Sequence, residues 1–313
     1  MSTSKFPIAL VDKSTVIGFF VIIILALSVP FFGGWDFLHA VRPETLSRQF
    51  TYTYYPYPAY WFFYPLAILP PQLGYTIWNL VNAASVIFAV RYWKTNLLAF
   101  SLSIPCFWIF YAGQIDGFFA GALTLAIAAN PWLAGFGIFV LTFKPQAGLI
   151  PILFVLLQRR DWRILVLPLV LYLLSFVEYG WWILEWLDHM KVGFGTHLLN
   201  ATNISIFPLG LIFLFLLFRY KDSLKIWMLA GSLATPYFPV YSLATFFTIE
   251  SPKWWFSLSM WLFYLAWGIF HLPYYVTQIL FAFPLTLLVM EIWKYEKSRA
   301  LANSHATQFI EKT

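Results

Sequence analysis

Residues 14–32 contain no charged side chain, and a run of that kind limits the fold more than any motif does. A helix rises 1.5 Å per residue, so about 20 apolar residues cross the ~30 Å hydrocarbon core of a bilayer. Further apolar runs follow at 61–69, 72–89, 97–111, 117–129, 132–143, 147–157, 162–177, 204–218, 226–237, 242–249, 254–270 and 274–292. Several are too short to cross alone and read as short or re-entrant helices. The expected fold is therefore all-α: a single integral membrane domain over residues 1–313 with about twelve membrane segments. Composition agrees. Hydrophobic residues make up 61% of the chain and charged residues only 10%, against about 25% charged in a soluble domain. That excludes a water-soluble enzyme and a disordered chain. Lys5 and Lys13 precede the first run, but no small-residue cleavage site follows it, so the run is expected to remain as a span. The lone cysteine, Cys106, excludes a disulfide framework and a cysteine metal cluster.

The basic residues orient the threading. With the N-terminus in the cytoplasm, only Arg42, Arg48, Lys144 and Lys191 of the 19 Lys and Arg residues fall outside, as the positive-inside rule requires. Both termini are then cytoplasmic. The formal charge of +6 follows membrane sidedness and is no sign of nucleic acid. This parity holds only if 132–143 and 147–157 form a hairpin broken at Lys144-Pro145-Gln146. Asp36, the Gln114–Asp116 turn and Lys144 then share the outer side. The two outer segments long enough to build a pocket are 33–60, carrying Asp36, and 180–203.

Five groups of residues are candidates for chemistry. Asp36, between aromatic residues beyond the first span, suits a general base for an acceptor hydroxyl, or is an ordinary interfacial acid. Lys144, between two apolar segments, needs an anion: a carboxylate such as Asp116, or a phosphate at a cavity mouth. Gln114 and Gln146 would add neutral hydrogen bonds there. The strip Tyr52-Thr53-Tyr54-Tyr55-Pro56-Tyr57-Pro58 could pack on a sugar or prenyl chain, or serve as an interfacial belt. Tyr237 and Tyr241 lie in Thr235-Pro236-Tyr237-Phe238-Pro239-Val240-Tyr241-Ser242, a doubly broken stretch that lines a cavity or is a simple loop between short spans. His189, His197 and Asn200 occupy the second outer segment near Glu178, Glu185 and Asp188. No ligand spacing supports a metal there, so no cofactor is expected. A divalent ion at His189 and Asp188 stays open as an alternative, and a solvated surface is the expected state of the histidines.

Several stretches resemble glycosyltransferase family 87, whose members are polyprenyl-phosphate-dependent membrane enzymes of the GT-C class. They are Phe50-Thr51-Tyr52-Thr53-Tyr54-Tyr55-Pro56, Tyr64-Pro65-Leu66-Ala67-Ile68-Leu69-Pro70, and Trp78-Asn79-Leu80-Val81-Asn82. Gly113-Gln114, Lys144-Pro145-Gln146, Asn203-Ile204-Ser205 and the stretch from Thr235-Pro236-Tyr237 to Leu243 follow in the family's order. The resemblance covers roughly residues 14–250. It implies a GT-C fold in the cytoplasmic (inner) membrane of the cell envelope, with the active site on the extracytoplasmic side. It further implies inverting transfer of a sugar from a polyprenyl monophosphate carrier to a hydroxyl acceptor. In that scheme Asp36 is the base, and Lys144 and Gln114 hold the donor phosphate. Tyr52, Tyr54, Tyr55, Asp116, Gln146, His197, Tyr237 and Tyr241 line the substrate site. Its partners would be the phosphosugar lipid, membrane lipids, the acceptor and, in a complex, other membrane proteins. The chain departs from the family pattern at Tyr57, where a second proline is usual, and at Ser242, where an aspartate is usual. A non-catalytic subunit that kept the scaffold is the main alternative. A lipid-linked-sugar transporter ranks below it, because no internal repeat is visible.

Overall fold

The computed structural model describes residues 12–51, 53–197, 202–271 and 278–310, apart from the side chains of 192–197, 278 and 303–310. Among these residues the chain is helical, with no strand and one isolated antiparallel bridge, Asn203 to Pro239. Three helical stretches are long and apolar enough to span a bilayer: Lys13–Phe31, Pro71–Trp93 and Trp162–Tyr179. Ile104–Ala112 and Asp116–Ala126 pass the same test only as a pair, bent by 113° at the break between them. The remaining apolar helices are shorter, so the expected twelve segments do not appear as twelve full spans. Large apolar side chains on the third stretch face outward, Val177 being 84% exposed. In a bilayer, lipid rather than water would meet that surface.

The sequence-predicted segments shift wherever local chemistry ends a helix. Segment 97–111 divides into Leu97–Ser101 and Ile104–Ala112. There the Ser103 hydroxyl caps the second piece by accepting the Cys106 N–H at 3.3 Å, and Pro105 sits in its first turn. Segment 204–218 is helical only from Leu209. Its first residues are instead held extended: the Ile204 N–H donates to Phe238 O at 2.9 Å, and the Val240 N–H donates to Thr202 O at 2.7 Å. Segment 226–237 stops at Ala234, two residues before Pro236. The segment 33–60, expected on the outer side, is no open loop but carries the short helices Phe37–Val41, Arg42–Ser47 and Tyr57–Ala59. Segment 180–203 carries the helix Ile183–His197.

Residues 132–143 and 147–157 do form two separate helices, Pro131–Leu141 and Pro145–Arg159, with Lys144 at the break. The first lies against Asp116–Ala126 at backbone distance. A Cβ on Gly137 would fall 2.4 Å from Ala122 O and Ala126 N, so only glycine allows this approach. Small residues at such crossings are how helices gain packing where lipid supplies no hydrophobic drive.

The broken pair needs more than packing. A helix break leaves carbonyls and N–H groups without partners, and hydrocarbon offers none. The helix Pro71–Trp93 supplies them from one face. Tyr75 donates its hydroxyl to Phe110 O and Tyr111 O, Trp78 Nε1 donates to Gly113 O at 3.0 Å, and Asn79 Nδ2 reaches Phe110 O at 3.4 Å. One turn further on, Asn82 Oδ1 accepts the Phe118 N–H at 2.8 Å. Residues 75, 78, 79 and 82 follow the helical period. The Trp-Asn-x-x-Asn motif is thus a polar brace for the break.

Candidate functional site

Gly113 ends the helix Ile104–Ala112 with φ +79°, a left-handed conformation that glycine adopts without strain. The turn sends Gln114 toward the end of the first span, where its Nε2 donates to Asp36 Oδ2. Gly34, at φ +93°, bends the chain just before Asp36 and ties its N–H to Tyr111 O at 2.6 Å. Two glycine bends and one amide therefore fix the Asp36 carboxyl. A Cβ on Gly113 would lie 2.7 Å from Phe37 Cβ and 2.8 Å from the Tyr75 ring. Gly113→Ala is expected to cost at least about 1–2 kcal/mol for the left-handed backbone alone, and to displace Gln114 from Asp36. Thermal unfolding of the purified protein in detergent checks this; an unchanged midpoint would refute it.

Lys144 meets a second constellation from the other side. Its Nζ lies 2.6 Å from Asp116 Oδ2 and 4.5 Å above the centre of the Tyr241 ring. Asp116, fully buried, also accepts the Ser242 hydroxyl at 2.6 Å through Oδ1. Both carboxylate oxygens are thus occupied by groups from different elements. A buried ion pair persists only when such hydrogen bonds offset the cost of desolvation.

The tyrosine strip is held by a carboxylate that sequence reasoning missed. Glu44, fully buried, accepts the N–H groups of Thr51 and Thr53 at 2.9 and 2.8 Å, together with the hydroxyls of Thr51, Thr53 and Tyr60. The helix Ile183–His197 braces the same strip. Trp186 Nε1 donates to Tyr54 O at 2.9 Å, and His189 Nε2 is 3.0 Å from Thr53 O. The His189 ring also stacks on Phe50 and Tyr54. This histidine is therefore packed, not solvated as expected, because Phe50, Thr53 and Tyr54 fold against it.

These elements enclose a cavity of about 560 Å³. Of the sequence-predicted site residues, Asp36, Gln114, Lys144, Gln146, Tyr54, Tyr55, Tyr237 and Tyr241 line it. Asp116 stands one layer behind, in contact with Lys144. Tyr52 and the side chain of His197 lie outside the described residues, as does Asn200. Trp35, Trp108, Tyr111, Phe143 and Thr202 line the cavity without having been anticipated. Trp35 was visible beside Asp36; Trp108, Tyr111 and Phe143 read as ordinary residues of apolar segments, and Thr202 as part of the segment 180–203. Among the described residues no group of three His, Cys, Asp or Glu side chains could hold a metal ion.

Asp36 lies beyond the end of the first span. Burial pushes its carboxyl up to about 6, and the negative charge of Asp116 adds to the effect. The Lys144 ammonium and the Gln114 hydrogen bond pull the other way without cancelling it. A carboxyl tuned to this range is ionised near neutrality yet more basic than a solvated one, as proton abstraction requires. The lining thus combines one such acid, one lysine, two amides and many aromatic faces.

No curated protein and no solved structure matches the chain. A model of glycosyltransferase family 87 does match, over residues 52–209. That stretch is just over half of the chain and contains the tyrosine strip, the Trp-Asn brace, the Gln114 turn and the helix break at Lys144. With its apolar spans, the chain is accordingly a membrane protein of glycosyltransferase family 87.

Proposed function

We propose that the protein moves a sugar from a polyprenyl monophosphate carrier to a hydroxyl acceptor, with inversion, on a GT-C type scaffold. The reaction takes place at the extracytoplasmic face of the cytoplasmic membrane, and both termini lie in the cytoplasm. The observation that carries this reading is the meeting of Asp36 and Lys144 on one cavity, the base and the cation that such a transfer needs.

The donor phosphate rests on the Lys144 ammonium and takes the second amide hydrogen of Gln114, whose first goes to Asp36. The acceptor hydroxyl lies at Asp36. Its oxygen attacks the anomeric carbon from the face opposite the phosphate. The new C–O bond forms as the bond to the phosphate oxygen breaks, through an oxocarbenium-like transition state. The bonding electrons leave with polyprenyl phosphate, whose added negative charge faces Lys144. The acceptor proton passes to Asp36. Ser242 replaces the aspartate usual in the family, yet its hydroxyl rests on Asp116, so a carboxylate already stands at that place.

The test is transfer from labelled polyprenyl phosphosugars in proteoliposomes, with native membrane extract as the acceptor source. Label in product identifies the enzyme and its donor. Absence of transfer from every donor, with polyprenyl phosphate still co-purifying, would instead indicate a retired scaffold within a complex. The pH profile is a further check. Only ionised Asp36 can take the proton, so kcat is expected to rise through about pH 6 and level off above it. A rate that is flat between pH 5 and 8 would remove Asp36 from the base role.

A further inference from the structure

Trp35 is a lining residue for which neither the fold nor the transfer chemistry described so far has a use. Its side chain borders the cavity yet is 70% exposed. Its ring lies 4.7 Å from that of His39, one helical turn on, at 39°. The bend at Gly34 and the Asp36–Gln114 bond hold the adjoining backbone. The indole is therefore an exposed plate bordering the cavity, next in sequence to the candidate base. Its N–H makes no hydrogen bond to any described residue.

We propose that Trp35 is the acceptor platform, and that the acceptor is a neutral carbohydrate. This rests on the transfer reading above. A pyranose has one face of C–H groups and a rim of hydroxyls. The C–H face packs on the indole, the free N–H can donate to a ring substituent, and a rim hydroxyl falls beside Asp36. The charges of the lining favour a neutral partner: among the described residues Asp36 and Lys144 are its only acid and base, and both serve the reaction. A charged acceptor would find no partner left. The rest of the lining is mainly aromatic and apolar, with Thr53, Gln146 and Thr202 as further neutral polar side chains.

The experiment uses the full-length protein in nanodiscs with a labelled polyprenyl phosphosugar donor. Acceptor probes are methyl α-mannopyranoside, methyl β-glucopyranoside, methyl β-galactopyranoside, acetyl-threonine amide and a short prenyl alcohol. Hydrolysis of the donor, with water as acceptor, serves as an internal control that needs Asp36 and Lys144 but no platform. Trp35→Ala is expected to raise the KM for the glycoside at least tenfold, leaving donor KM and hydrolysis within twofold, and Trp35→Phe should recover part of the loss. A variant that alters donor KM and hydrolysis as much as glycoside KM would make Trp35 a membrane anchor and overturn the proposal. Transfer to the threonine or the prenyl alcohol alone would overturn the carbohydrate assignment. If the wild type neither transfers nor hydrolyses, the transfer reading fails. Saturation-transfer NMR of the glycosides then decides the platform: binding lost in Trp35→Ala supports it, and no binding to the wild type ends it.

Discussion

Asp36→Asn is expected to lower transfer by roughly 10²–10⁴-fold, the usual worth of a positioned base, while leaving donor affinity within about twofold. Asparagine keeps the shape of the side chain, and its Oδ1 can still accept from Gln114 Nε2, so the cavity should survive the change. What it removes is the capacity to take a proton. The same substitution should stabilise the fold at high pH, and the sign follows from the raised carboxyl. The unfolded chain ionises Asp36 near 3.8 and the folded chain only near 6. Stability is therefore lost as pH rises between those values. Above pH 6 the loss reaches about 3 kcal/mol at most, at 1.36 kcal/mol per pKa unit. An amide at this position never ionises, so the variant escapes that loss. Thermal unfolding should thus show the variant more stable than wild type at pH 8 and nearly equal to it at pH 4. A variant that is inactive and also less stable at pH 8 would mean that Asp36 is structural. One that turns over normally would remove it as base.

The second large effect concerns Asp116. Asp116→Asn leaves the Lys144 ammonium buried without its counter-charge, which costs about 3–5 kcal/mol for a broken buried pair. The Ser242 contact can persist, since asparagine also accepts a hydrogen bond, so the loss should track the charge. Replacing both partners, as Asp116→Leu with Lys144→Met, should recover much of the stability, because no charge then needs a partner. Activity should not return with it: the double variant has no cation for the leaving phosphate. Unfolding midpoints and transfer rates of the single and double variants separate the two roles. If Asp116→Asn unfolds at the wild-type midpoint, the pair contributes little to the fold.

How much of this was legible in the sequence differs from place to place. The apolar runs located the spans 14–32, 72–89 and 162–177 within a few residues, because hydropathy over a full span is a property of the segment itself. The helix 254–270 was located to the residue. Elsewhere the boundaries gave way to local chemistry that hydropathy does not register. Ser103 and Pro105 split one run, and Asn203 held another open by accepting the N–H groups of Ser205 and Phe238. The polar interruptions at Gln114–Asp116 and Lys144 were plain because charge at membrane depth is costly. Glu44 was not, since an acid in an outer segment looks solvated until the chain folds back on it. His189 was misjudged for the same reason.

From the sequence alone came the membrane class, the helical fold, and the candidacy of Asp36, Lys144 and the tyrosines, since each follows from residue type and its neighbours along the chain. Which groups meet was decided only in three dimensions. Gln114 finds Asp36 across 78 positions, and Ser242 reaches Asp116 across 126. A hydrogen bond acts over about 3 Å, and no spacing along one chain reveals that two distant residues will come so close. The bends at Gly34 and Gly113 and the brace from Tyr75, Trp78 and Asn79 bring them together, because every group at the broken helix must find its partner inside the protein.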